Sequence, residues 1–186
     1  MTRRVAIAVA VCLAASAAWG HTFPPVRTVV VQVERDAVVV MVGYRPGNGA
    51  PTDGIVARVG SQPKSQRLDA MREVMASLAM QPLVVAIDGR PLVPTSVRAK
   101  LGVEPGGGRP IVVVLVTYAI APGTLSVTSR EPRNTRISWQ DRHSCRVDLD
   151  RAPTQDRWYT GVASFLLMVG PPCAPPRSGS SASPAR

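Results

Sequence analysis

Two dense runs of β-branched residues open the patterned part of the chain. Val26 to Val33 and Val38 to Tyr44 each have strand character, and Glu34-Arg35-Asp36 between them suits a tight turn, so the pair predicts a β-hairpin. The stretch Arg45 to Gln62 holds Pro46, Gly47, Asn48, Gly49, Pro51, Asp53 and Gly54. That density of breakers predicts a loop, with at most a short element at Ile55 to Val59. From Ser65 to Ala79 the period changes. Leu68, Met71, Met75 and Leu78 recur at spacings of three and four, which lines them on one face of a helix. Ser65 is placed to cap its start, and Pro82 blocks its continuation.

Strand signals return at Leu83 to Ile87. Asp88-Gly89 suits a type I′ turn, so the chain from Leu92 onward is expected to come back antiparallel, with Pro91 and Pro94 marking an edge. Val97, Ala99, Leu101 and Val103 alternate with Arg98, Lys100 and Gly102, a pattern of one wet face and one buried face. Gly106-Gly107-Gly108 then leads into the apolar run Ile111 to Ile120. Phosphate-cradling glycines precede a helix, and a long strand follows here, so this is read as a hairpin loop. Leu125 to Ser129, Thr135 to Gln140 and a short Arg146 to Leu149 add strands, and Trp158 to Val169 forms a last strand or helix on the core. The expected fold is mainly β: an immunoglobulin-like β-sandwich with one inserted α-helix at about 65–79 and a disordered C-terminal tail. Its expected core contains Val97, Leu101, Val112, Val114, Val116, Leu125, Val127, Ile137 and Trp139, with Leu68, Met71, Met75 and Leu78 packed on it.

The ends change the picture. Arg3 and Arg4 precede an unbroken small and aliphatic run from Val5 to Ala18, and Ala18-Trp19-Gly20 supplies small residues ahead of His21. This is the layout of a secretory signal peptide, too short to span a bilayer. Residues 1–20 are therefore assigned to the leader, 21–170 to the β-sandwich domain and 171–186 to a proline- and serine-rich tail with too little apolar surface to order itself. The expected location is periplasmic or secreted, by general or twin-arginine export, and the chain is not expected to be an integral membrane protein.

Charge narrows the partners. The chain carries 22 basic and 12 acidic residues, a net +10; loss of Arg3 and Arg4 leaves twenty basic residues and a net +8. After the leader, arginines are spread from Arg27 to Arg186 and aromatic residues make up 4%, so the clustered cations and stacking rings of a nucleic-acid binder are missing. The basic surface suits an envelope protein or an anionic envelope surface instead.

The candidate chemistry is sparse. With His21 and His143 as the two histidines, no nucleophile, base and orienting group can be assembled, and no enzymatic activity or cofactor is expected. A chain beginning at His21 would carry an α-amine and an imidazole on one residue, a chelate that favours copper or nickel, with His143 as a further ligand. That is the alternative reading, a periplasmic copper or nickel carrier. Cys145 and Cys173 remain after leader removal and suit a disulfide in an oxidising compartment. Asp148 and Asp150 would share one strand face, where a solvated edge is the commoner meaning than a cation site. Methionines on an apolar helical stripe are core filler more often than copper ligands.

The run Leu83-Val84-Val85-Ala86-Ile87-Asp88-Gly89-Arg90-Pro91-Leu92 resembles a hairpin in the extracytoplasmic β-domain of HupE/UreJ-like nickel/cobalt permeases. The Pro105 to Gly108 loop, the apolar strand after it and Ile137-Ser138-Trp139-Gln140-Asp141 follow in that family's order, over about residues 83–141. The family's acidic stretch after the first hairpin is replaced by Arg45 to Gly54, and no apolar spans follow Trp139. The resemblance therefore implies an exported β-sandwich accessory domain without permease activity. Together these readings give a non-enzymatic accessory or binding module of the cell envelope.

Overall fold

The structure, a computed structural model, describes residues 24–104, 108–142 and 145–172. The chain runs β1 (Val26–Val33), β2 (Ala37–Arg45), α1 (Ala50–Gly60), α2 (Arg67–Met80), β3 (Leu83–Ile87), β4 (Arg90–Pro91), β5 (Pro94–Val103), β6 (Pro110–Ala119), β7 (Gly123–Ser129), β8 (Thr135–Asp141), β9 (Tyr159–Thr160) and β10 (Ser164–Val169). Among the described residues, ten strands form two sheets, one of six in the order β5-β6-β2-β1-β8-β9 and one of four in the order β10-β7-β3-β4. All of these pairs are antiparallel except β1 with β8. The fold is thus mainly β and sandwich-like, as the alternating pattern predicts. Six- and four-stranded sheets and a parallel β1–β8 pair are features that an immunoglobulin-like expectation did not specify.

Alternation explains the core. Directly opposite residues share a face, so Val29, Val31 and Val33 of β1 line up with Val38, Val40 and Val42 of β2 and with Ile137 and Trp139 of β8. Val112, Val114 and Val116 of β6 continue the same inner face, and all of these side chains are essentially inaccessible. Leu125, Val127, Phe165 and Leu167 supply the facing layer from the four-stranded sheet. Where the sheets meet, the rings of Tyr159 and Phe165 lie 5.6 Å apart. Trp139 Nε1 donates to Pro153 O at 2.7 Å, which satisfies the indole polar atom without interrupting the core.

The inserted segment contains two helices where one is predicted. Helix α1 occupies the stretch expected to be a loop. Its Pro51 falls in the first turn, where a missing N–H costs nothing, and Ile55 and Val59, one turn apart, are buried. Burial of that pair against the core outweighs the roughly 1 kcal/mol penalty of Gly54 within the helix. Helix α2 matches the expected span closely, but its start is not capped by Ser65. A short 3₁₀ turn, Lys64–Gln66, leads in, and no side chain caps the first amides.

Two expectations about burial are corrected. Leu68 is 72% exposed because it sits in the first turn of α2, beyond the end of the core; Met75 is fully buried, and Met71 and Leu78 pack against it. Val97 is 58% and Val103 65% exposed although both have the inner-face register of β5. They lie on an edge strand, where α2 covers Ala99 and Leu101 only in part.

The Asp88-Gly89 turn forms as expected, with φ of 47° and 76°, but its return arm is only Arg90–Pro91. At Leu92 and Val93 the chain leaves this sheet, and β5 joins the other one beside β6. The hairpin between β5 and β6 is closed by Glu104 N–H to Arg109 O at 2.9 Å; residues 105–107 lie outside the described residues. Arg146 to Leu149 contributes one bridge, Val147 to Val169, rather than a strand. Trp158 to Val169 resolves into β9 and β10, separated at Gly161, whose φ is 76°.

Candidate functional site

The largest buried polar cluster among the described residues was not among the expected sites. The same alternation that buries Val29, Val31 and Val33 also turns Arg27 inward, leaving it 2% exposed. Its guanidinium reaches the C-terminal end of α2, where helix carbonyls have no intrahelical donors. Nε donates to Ala79 O at 2.7 Å and Nη2 to Leu78 O at 2.9 Å. Nη1 faces Glu131 Oε2 at 3.1 Å and Thr135 Oγ1 at 3.4 Å, and the cation lies 5.3 Å from the centre of the Tyr44 ring. A cation at a helix C-terminus also complements the macrodipole.

Hydroxyl groups complete the network. Thr135 Oγ1 donates to Glu131 O at 2.8 Å, so its single proton is used and it accepts from Ser129 Oγ, 2.8 Å away. Glu131 N–H in turn donates to Ser129 Oγ at 3.1 Å. Ser129 and Thr135 belong to different sheets, so the cluster binds both sheets to the end of α2. Burial pushes the Tyr44 phenol above its ordinary value of 10.0; the Arg27 cation opposes this and Glu131 adds to it. A cleft of about 260 Å³ opens beside the cluster, lined in part by Arg27, Tyr44, Gln81 and Glu131. Chemically the arrangement is a clamp. Its hydroxyls bond one another and the Glu131 backbone, and Glu131 Oε2 pairs with Arg27.

A second buried arginine has a similar role at the opposite end of β1. Arg146, 1% exposed, donates through Nε to Gly170 O at 3.1 Å and through Nη1 to Arg35 O, joining the β1–β2 turn to the end of β10. Its buried Nη2 has no acceptor among the described residues. A wider groove of about 480 Å³ runs between α1 and α2, where Asp69 and Glu73 stand one turn apart and Asp69 pairs with Arg72 at 2.9 Å.

Of the residues singled out from the sequence, His21, His143 and Cys173 lie outside the described residues, as do residues 1–20, expected from the sequence to be a leader, and residues 173–186. Cys145 is exposed, next to the buried Arg146. The two aspartates do not share a strand face. Asp148 Oδ1 accepts from Asp150 N–H at 3.2 Å and Oδ2 lies 3.5 Å from Arg151 Nε, so the pair shapes a turn. Met71 and Met75 pack with the core, as the filler reading predicts. Among the described residues, no three His, Cys, Asp or Glu side chains are grouped to hold a metal ion. Nor is any helix there long and apolar enough to cross a membrane.

The Arg27 cluster was missed because an arginine in a strand is ordinarily read as solvent-facing. The sequence signal was weak: Arg27 shares the parity of Val29, Val31 and Val33, but Val26 and Val30 stand on the other parity, so the residue types alone do not mark the inner face. No family model and no curated protein matches this chain.

Proposed function

We propose that the protein is an exported, non-enzymatic accessory module of the cell envelope that binds through its outer surfaces. The observation that supports this reading is the use made of its buried polar groups. Arg27, Ser129 and Thr135 are engaged with helix carbonyls and one another, and the cleft beside them holds a clamp rather than reacting groups. What remains for recognition is the outside of a two-sheet body, in a chain with a surplus of positive charge.

The test has two parts. After expression from its own leader, the chain is expected in the extracytoplasmic fraction with a new N-terminus at or near His21. A photoreactive residue placed at Val113 or Ser126, one on the outer face of each sheet, is then expected to yield adducts with an envelope component. Retention of the intact chain in the cytoplasm would overturn the proposal, as would turnover by the purified protein that is lost on Glu131→Gln.

A further inference from the structure

The two sheets present very different outer faces. On the four-stranded sheet, β7 and β10 turn Thr124, Ser126, Thr128, Ser164, Leu166 and Met168 outward, none of them charged. On the six-stranded sheet, β6, β2 and β1 place Val113, Leu115, Met41 and Val30 at the centre of the outer face. Val113 is 38% and Leu115 36% exposed. Lys100 stands directly opposite Val113 and Arg98 opposite Leu115 on β5, and Arg136 lies on the same face across β1 on β8. Arg45 joins this face near the β5–β6 loop, where Glu104 pairs with it. Arg98, Lys100 and Arg136 are exposed, and the outward positions of these strands carry no carboxylate. Both helices are on the other side: α2 packs on the inner face of β2, β5 and β6, and α1 packs on α2.

We infer that this face docks on an anionic lipid bilayer, with Val113, Leu115 and Met41 toward the headgroup boundary and Arg98, Lys100 and Arg136 on the lipid phosphates. The inference rests on the envelope-module reading and names its partner. An aliphatic centre between cations on both sides matches a surface that offers both phosphate charge and apolar depth. Two copies packed face to face would bring these cations together, which disfavours self-association here. A soluble polyanion would engage the cations but leave the aliphatic strip in water.

The test uses the full chain with phosphatidylglycerol–phosphatidylcholine vesicles and phosphatidylcholine vesicles as the probe pair. Binding is expected to the first, weakening as salt rises. Arg98→Glu/Lys100→Glu is expected to weaken it at least about tenfold, since each basic group near such a surface contributes roughly a factor of five. Arg58→Glu/Arg90→Glu changes net charge equally at exposed sites elsewhere and is expected to keep most of the binding. All variants share one N-terminus, so binding through residues 5–18 would be equal in both and would count against the face. A tryptophan reporter decides between lipid and polymer: Leu115→Trp emission is expected to shift blue on the anionic vesicles, and Ser126→Trp emission is not. Equal loss in both charge variants, no vesicle binding, or binding without the blue shift of the Leu115→Trp reporter would each overturn the inference. If adducts with an envelope protein still form in the cell, the module reading stands while the lipid partner falls.

Discussion

Arg27 shows how one side chain can decide the placement of an element. Its donors reach the last carbonyls of α2, and removing them leaves those groups without partners beside a buried hydroxyl pair. Arg27→Ala is expected to lower stability by about 2–4 kcal/mol in urea denaturation, with the m-value unchanged. Arg27→Lys should recover only part of this, because an ammonium cannot hold two carbonyls and a carboxylate in one planar fork. A loss under about 1 kcal/mol for Arg27→Ala would show that the clamp is incidental. The buried phenols give a second expectation. Tyr44 and Tyr118 both titrate above 10.0 in the fold, chiefly because burial disfavours the phenolate. Above that pH the unfolded chain loses protons that the folded chain keeps, so stability should fall as pH rises past about 10 and be unaffected by these groups below it. Replacing both with Phe should flatten that alkaline slope; an unchanged slope would mean other groups cause it.

At the scale of elements, α2 divides sharply between a buried end and an open one. Met75→Ala is expected to cost about 2–5 kcal/mol, because a fully buried side chain leaves a cavity against the sheet. Leu68→Ser should change stability by no more than about 0.5 kcal/mol, since that side chain is largely in water. Both are read by thermal or urea unfolding, and a large Leu68 effect would contradict its exposure. The turn before β7 is constrained in a different way. Gly123 has φ of 150°, and a Cβ there would stand 2.9 Å from Asp88 Cγ and from Ile87 Cγ2. The Asp88 carboxylate also accepts Thr124 N–H at 2.8 Å, so this glycine lets the β3–β4 turn and the start of β7 close on each other.

At the scale of the molecule, the segment after β8 returns along the end of β10. Val147 bridges Val169, and Gly170 N–H donates to Arg146 O, which brings the chain beside Cys145 only three residues before Cys173. That approach favours the disulfide expected from an even cysteine pair. Protein recovered from an oxidising compartment should take up no alkylating agent until it is reduced, and reduction should lower stability by about 3 kcal/mol. Uptake before reduction would show the pair open. Such a bond would fasten the tail to the sandwich at the end of the sheets opposite the Arg27 clamp.

Local pattern was enough to determine most strands. β1 and β3 fall on the expected spans, β2, β6, β7 and β8 within a residue or two, because β-branched alternation and the Asp88-Gly89 turn are properties of adjacent residues. The core valines of β6 and the inward Trp139 followed from the same parity. Tertiary structure decided the rest. Whether Arg45 to Gln62 is loop or helix depended on a surface for Ile55 and Val59 to cover, and local breakers carry no record of it. Whether Val97 is buried depended on β5 being an edge strand, which no alternation reveals. The continuation from β4 into the opposite sheet, the parallel β1–β8 pair and the Arg27 clamp join residues up to 108 apart in sequence. Those pairings arise only when the two sheets and α2 compete for one core, so the sequence by itself determined the strands and the structure determined which of their faces were covered.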